Sequence, residues 1–166
     1  MRIHRIVGAE DADNPFCGDH CKGGGRWTSP GVHCAYASGS PGSALLECLA
    51  HGSHRDRTLV LATARLPRDS VETLEDLPEG WLARPYSPEV RAVGDAWAAA
   101  GRSLALRVPS ALISGEFNLL VNPEHPWFTK IVVESVEGIA IDPRFEGEDD
   151  DGERTDASGA EDEAGS

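Results

Sequence analysis

Two Ser-Pro pairs constrain the fold of this chain more than any other feature. Ser40-Pro41 and Ser87-Pro88 each place a hydroxyl that can cap a helix directly before a proline at the first helical position. The first helix is expected to run from Pro41 to about His51 and end at Gly52. In the second, Val90, Val93 and Trp97 recur at i, i+3 and i+7, and Gly101 is placed to stop it.

The remaining apolar runs are short and β-rich. Strands are expected at 2–7, 32–37, 58–66, 103–108, 117–122 and 130–136, with a last one near 139–141 and a short one near Val71. The run from Thr58 to Leu66 is nearly all apolar and suits burial on both faces. The reading is α+β: a single domain with two main helices packed on a mostly antiparallel sheet. Two long connections, 8–31 and 67–86, separate these elements. A structureless run longer than about 12–15 residues in a compact domain is usually functional or disordered. The first holds Gly23-Gly24-Gly25-Arg26-Trp27, which favours function.

Charge sets the domain boundary. From Glu146 onward the chain has ten acidic residues and one arginine, a net of −9; −13 less that −9 leaves −4 for residues 1–145. The expectation is a mildly acidic folded body, 1–145, followed by an acidic disordered tail, 146–166, too poor in apolar residues to offset its ordering entropy. Basic residues are scattered, so direct binding to nucleic acid is not expected. No stretch approaches the roughly 20 apolar residues of a membrane span. Nor does an apolar run follow Arg2, His4 and Arg5 as a signal peptide requires. The expected location is cytoplasmic, with Cys17, Cys21, Cys34 and Cys48 as thiols.

Several residues invite chemistry, each with a plainer alternative. Glu47 sits in the apolar helix segment Ala44-Leu45-Leu46-Glu47-Cys48-Leu49. It occupies either the helix's one solvent face or a pocket that offers a cation or a ligand hydroxyl. Arg26, after three glycines that allow close backbone approach, suits a phosphate or pyrophosphate; a solvated loop arginine is the default. Tyr36 is a strand aromatic that packs in the core or faces a ligand. Cys17, His20, Cys21, His33 and Cys34 carry zinc-ligand chemistry, but Cys17-x3-Cys21 lacks a matching second pair, so no metal site is expected. Cys48 reads as a small core residue.

Taken in order, these segments resemble the RES domain, a family named for an Arg, a Glu and a Ser. The resemblance is carried by Gly24-Gly25-Arg26-Trp27, Ala35-Tyr36-Ala37-Ser38, Ala44-Leu45-Leu46-Glu47, Gly94-Asp95-Ala96-Trp97, Arg107-Val108-Pro109-Ser110 and Asn118 to Pro126. It covers residues 2 to about 145. It implies an ADP-ribosyltransferase-like fold and a toxin-type enzyme that binds NAD as substrate and breaks the nicotinamide–ribose bond. The acceptor would be water or phosphate (an NAD glycohydrolase or phosphorylase), with protein or nucleotide ADP-ribosylation and non-catalytic nucleotide binding as alternatives. No cofactor beyond that substrate is implied.

By the same resemblance Arg26, Tyr36 and Glu47 would be catalytic, and Arg26, Trp27, Tyr36, Ser110 and Asn118 would contact the dinucleotide. The implied partner is an Xre-type helix-turn-helix antitoxin that covers the pocket and makes the DNA contacts. The chain departs from the family where Thr28 replaces a frequent Asn, and in its Cys- and His-rich loop at 17–21.

Overall fold

A computed structural model describes residues 1–18, 23–52 and 57–145. The acidic segment 146–166 lies outside the described residues, as do His20 and Cys21 of the zinc reading. The strands are β1 (Arg2–Gly8), β2 (Ala35–Ser38), β3 (Leu59–Arg65), β4 (Val71–Thr73), β5 (Ala105–Pro109), β6 (Phe117–Val121) and β7 (Val132–Ile139). The helices are α1 (Pro41–Ala50) and α2 (Pro88–Ala100). The Ser-Pro pairs act as expected: the Ser40 and Ser87 hydroxyls accept from the amides of Ser43 and Val90, at 3.2 and 3.3 Å. Gly101 ends α2 in the left-handed conformation, at φ 57°.

The strands form one seven-stranded sheet in the order β4-β5-β6-β2-β1-β3-β7. Every neighbouring pair is antiparallel except β4–β5. The pairing is uneven. β1 and β3 stay in register along all of β1, from Arg2↔Arg65 to Gly8↔Leu59. By contrast, β1 and β2 meet only at His4↔Ser38. The sheet is therefore two well-paired halves hinged at one position, and beyond His4 the strands diverge.

Two apolar clusters hold the halves. Ile3, Phe16, Leu66, Leu104, Leu119 and Val121 form one. Trp27, Val90, Trp97, Leu106, Val108 and Leu120 form the other, where α2 packs. Burying side chains of this size contributes about 1.5–3 kcal/mol each. The Trp97 indole keeps its N–H satisfied by donating to the Ser103 hydroxyl at 2.7 Å.

Two strand expectations need correction. The strands expected at 130–136 and 139–141 are one strand, Val132–Ile139. It lies at the sheet edge, so Val132, Val133 and Val136 stay exposed, and the register shifts between Thr63 and Ala64. An edge position with a bulge erases the alternation by which a strand is read. The strand expected at 32–37 is shorter and later, Ala35–Ser38.

Beside the hinge, His4 is nearly buried, and its Nδ1 lies 3.1 Å from the Thr63 hydroxyl. Burial, with Arg2 nearby, holds the imidazole below its ordinary pKa, although Glu134 opposes this. The unfolded chain then binds a proton more readily than the folded one. His4 stabilises fully above about pH 6.5, and that contribution is lost as pH falls toward the folded pKa. Urea denaturation between pH 7 and 5 should show stability falling more steeply for wild type than for His4→Gln; parallel profiles would clear His4 of this role.

Candidate functional site

A cleft of about 420 Å³ opens where β1 and β2 diverge. β1 borders it from His4 to Gly8, β2 from Tyr36 to Ser38, and α1 through Ala44, Glu47, Cys48 and His51. The glycine loop and the connection before α2 close it, through residues 23–27 and through Arg84 and Tyr86.

α1 settles which way Glu47 points. Ser43, Ala44 and Cys48 form its buried face, and Glu47 lies beside them on the helix. Leu46, not Glu47, turns toward solvent, at 38% exposure. The Glu47 side chain is 27% exposed. Its Oε1 accepts from Asn118 Nδ2 at 2.6 Å, and Asn118 Oδ1 accepts from the Ser38 hydroxyl at 2.8 Å. Ser38 and Asn118 are register partners on adjacent strands, which places both side chains on one sheet face. A half-buried carboxylate is thus held by a neutral relay, with His51 Nε2 3.8 Å from its other oxygen. Cys48, one residue on, lies on the buried face of α1. Burial pushes its thiol pKa up, against the opposing charge of Arg57.

The glycine loop is clamped from both sides. From below, the Tyr36 hydroxyl accepts from the Trp27 amide at 3.2 Å and shares a 2.9 Å hydrogen bond with the Thr28 hydroxyl. A Cβ at Gly25 would stand 2.7 Å from that hydroxyl, so the loop rests on Tyr36 only because position 25 is glycine. From above, α2 supplies three contacts. Arg91 Nε donates to the Gly25 carbonyl at 3.2 Å, and Asp95 accepts from the Ser29 amide at 2.8 Å. Gly94 leaves room for the Trp27 carbonyl, which a Cβ there would overlap.

Arg26 projects from this loop and donates to the Trp81 carbonyl, with its guanidinium 4.7 Å from the Tyr86 ring centroid. Trp27 borders the cleft, yet it is 3% exposed and its indole stacks on Trp81 at 5.8 Å. Its main work is in the core.

Arg26, Trp27, Tyr36, Glu47 and Asn118 therefore border one cleft. Ser110 is not among the bordering residues, although Pro109 and Ala111 are. Its nearly buried hydroxyl accepts from the amides of Leu112 and Ile113, both at 3.2 Å, and so shapes the turn behind the wall. Arg5, Ser38, Arg84 and Tyr86 also border the cleft and were not legible as site residues. Arg5 is 8% exposed, in a strand whose sequence mixes Arg2, His4 and Arg5 with Ile3, Ile6 and Val7, so its burial was not legible. Tyr86 and Arg84 lie in a connection whose sequence has no period, so only the folded chain brings them to Arg26. Among the described residues no His, Cys, Asp and Glu cluster suits a metal ion.

The fold and site define a small α+β protein with a ligand cleft at a hinge in its sheet, bearing a carboxylate on one wall and arginines on the others. The chain belongs to the RES domain family, whose model matches residues 2–145. It is 37% identical over 129 residues to a "Prs ADP-ribosylating toxin" of Sphingobium, covering 74% of this chain and 80% of that one. A "Toxin Res" of Yersinia enterocolitica is 33% identical over 152 residues, covering 87% and 99%. In fold the chain resembles a crystal structure of the Mycobacterium tuberculosis MbcT–MbcA toxin–antitoxin complex, with a TM-score of 0.70 at 17% identity over 84% of each chain. The α+β expectation agrees with that fold.

Gly94 offers a sharp test of the clamp. Gly→Ala inside a helix ordinarily stabilises by about 0.5–1 kcal/mol. Here the new Cβ meets a backbone carbonyl, and overpacking of that kind costs about 1–3 kcal/mol. Gly94→Ala should lower stability to urea, while Gly42→Ala on α1, with open space at its Cβ, should not. Equal effects of the two substitutions would refute the clamp.

Proposed function

We propose that this chain is the toxin of a toxin–antitoxin pair and an enzyme that binds NAD in the cleft and cleaves the nicotinamide–ribose bond. The observation that carries this reading is Glu47, held by Asn118 and Ser38 at one wall while Arg26 stands at another. In the proposed reaction the C1′–N bond breaks and its electron pair stays on the pyridine nitrogen, releasing neutral nicotinamide. The ribose left behind has oxocarbenium character, as in glycoside cleavage. A carboxylate fixed in advance stabilises that charge with no reorganisation and orients a ribose hydroxyl.

Arg26 then holds the pyrophosphate through its planar fork. Tyr36 serves twice: its hydroxyl fixes the loop that carries Arg26, and its ring is the surface for nicotinamide. Ser110 acts at one remove, through the turn it shapes. Asn118 acts on Glu47 rather than on the substrate.

Capture of the cation by water forms the new C1′–O bond and releases a proton, giving ADP-ribose; capture by inorganic phosphate gives ADP-ribose phosphate. We favour these two acceptors, which make the enzyme an NAD glycohydrolase or phosphorylase. Transfer to a protein is the second reading, favoured by the name of the Sphingobium relative. The partner in this proposal is an Xre-type helix-turn-helix antitoxin seated over the cleft, as suits a fold shared with one component of a toxin–antitoxin complex. The proposed place of action is the cytoplasm, where NAD is held. Among the described residues no helix is long and apolar enough to cross a membrane.

Purified protein mixed with NAD should release nicotinamide, and the mass of the second product identifies the acceptor. Glu47→Ala should lower turnover by roughly 10²–10³-fold, the loss typical of removing one preorganised charge-stabilising group. Arg26→Ala should chiefly raise KM. A Glu47→Ala variant with wild-type turnover would sink the reading, and intact NAD that nonetheless binds would make the domain a non-catalytic module.

A further inference from the structure

Arg26 is not the only cation at its end of the cleft. Arg84 and Arg91 also stand over the Tyr86 ring, with guanidinium carbons 5.6 and 5.8 Å from its centroid beside the 4.7 Å of Arg26. Tyr86 and Arg84 border the cleft, on the connection that leads into α2. Among the described residues none of these three arginines makes an ion pair. Arg57, which also borders the cleft, differs: it is tied to Glu10 and Asp11.

Three guanidiniums gathered on one ring repel one another, and the ring's quadrupole offsets only part of that. The body of the chain is net acidic, at −4 once the tail's −9 is taken from −13. Carboxylates to pair with them were therefore available in the composition, yet among the described residues none is placed here. An arginine cluster without counter-ions beside a concave surface fits a ligand that carries several negative charges. Arginine rather than lysine suits phosphate oxygens, because each planar fork offers two parallel donors.

We propose that Arg84 and Tyr86 complete, with Arg26, a binding site for the diphosphate of a nucleoside diphosphate, that Tyr86 acts in it as the platform that spaces the arginines, and that Arg91, not itself among the residues bordering the cleft, adds its charge from α2. This rests on reading the cleft as the dinucleotide site. Arg26 holds one nitrogen on the Trp81 carbonyl and keeps the rest of its fork for the ligand. Arg91 is fixed by the Gly25 carbonyl, so α2 positions the glycine loop and one cation together. Arg84, exposed in the structure, closes on the diphosphate from the rim.

The test is equilibrium binding by calorimetry of ADP, AMP and adenosine to the full chain, which needs no turnover. ADP should bind at least tenfold more tightly than AMP, and raising salt should weaken ADP binding most. Arg84→Ala should weaken ADP binding about tenfold, the effect of one charge-assisted contact, and leave adenosine binding unchanged. Tyr86→Phe should bind ADP as wild type does, since the ring face and not the hydroxyl is used; Tyr86→Leu should not. Circular dichroism checks that the variants are folded. Equal affinity for ADP and adenosine, or Arg84→Ala and Tyr86→Leu variants that are folded and bind ADP normally, would overturn the proposal. Failure of NAD cleavage alongside preference for ADP would count against the enzymatic reading only.

Discussion

A sheet that pairs along its whole length has no room for a ligand between its strands. This one makes room by giving up pairing between β1 and β2 beyond His4↔Ser38. Backbone groups released from a ladder must find other partners or face a polar space, because leaving them buried and unpaired is costly. The cleft lies at that gap, bordered by β1 from His4 to Gly8 and by β2 from Tyr36 to Ser38. The two halves can part because each is paired within itself: β1 with β3 along its full length, and β2 with β6 at all four of its residues. The site is a consequence of where pairing stops.

Holding such an opening in one shape needs a brace, and α2 provides it. A helix packed by Val90 and Trp97 on one half of the sheet reaches the glycine loop through Arg91, Gly94 and Asp95. The same loop rests on the Tyr36 hydroxyl from the opposite side. Loops built on rigid elements carry binding residues with less freedom than loops alone. The segment Gly94-Asp95-Ala96-Trp97 thereby acquires a division of labour: contact at Gly94, a hydrogen bond at Asp95 and core packing at Trp97.

Both helices were legible to within a residue, since a Ser-Pro start and a glycine stop are local chemistry. Most strands were legible from apolar runs; the edge strand β7 was legible only in pieces, at 130–136 and 139–141, because neither of its faces is deeply buried. At the site, Arg26 and Glu47 stood out because each breaks a local pattern, glycines in one case and an apolar helix in the other. What periodicity could not give was the side Glu47 faces, which depends on Asn118, 71 residues away in the chain. The Tyr86 cluster was illegible for the same reason: three of its members come from different segments, and only the packing of α2 brings them together. Ser110 was legible as a motif residue but not as the centre of a turn, which only backbone geometry reveals.

The nature of Glu47's partners bears on the proposed chemistry. An arginine or lysine beside the carboxylate would orient it equally well. It would also cancel the negative charge on which stabilisation of an oxocarbenium depends, and would repel that cation directly. An amide that is itself fixed by a serine hydroxyl orients the carboxylate while adding no net charge. The unpaired cations gather instead around Tyr86, on the connection into α2. A dinucleotide about to lose nicotinamide presents the same division, a forming positive charge at C1′ and fixed negative charges on its phosphates. Mixing the two sets of residues would weaken both functions, so keeping them on different walls is the arrangement that such a substrate demands.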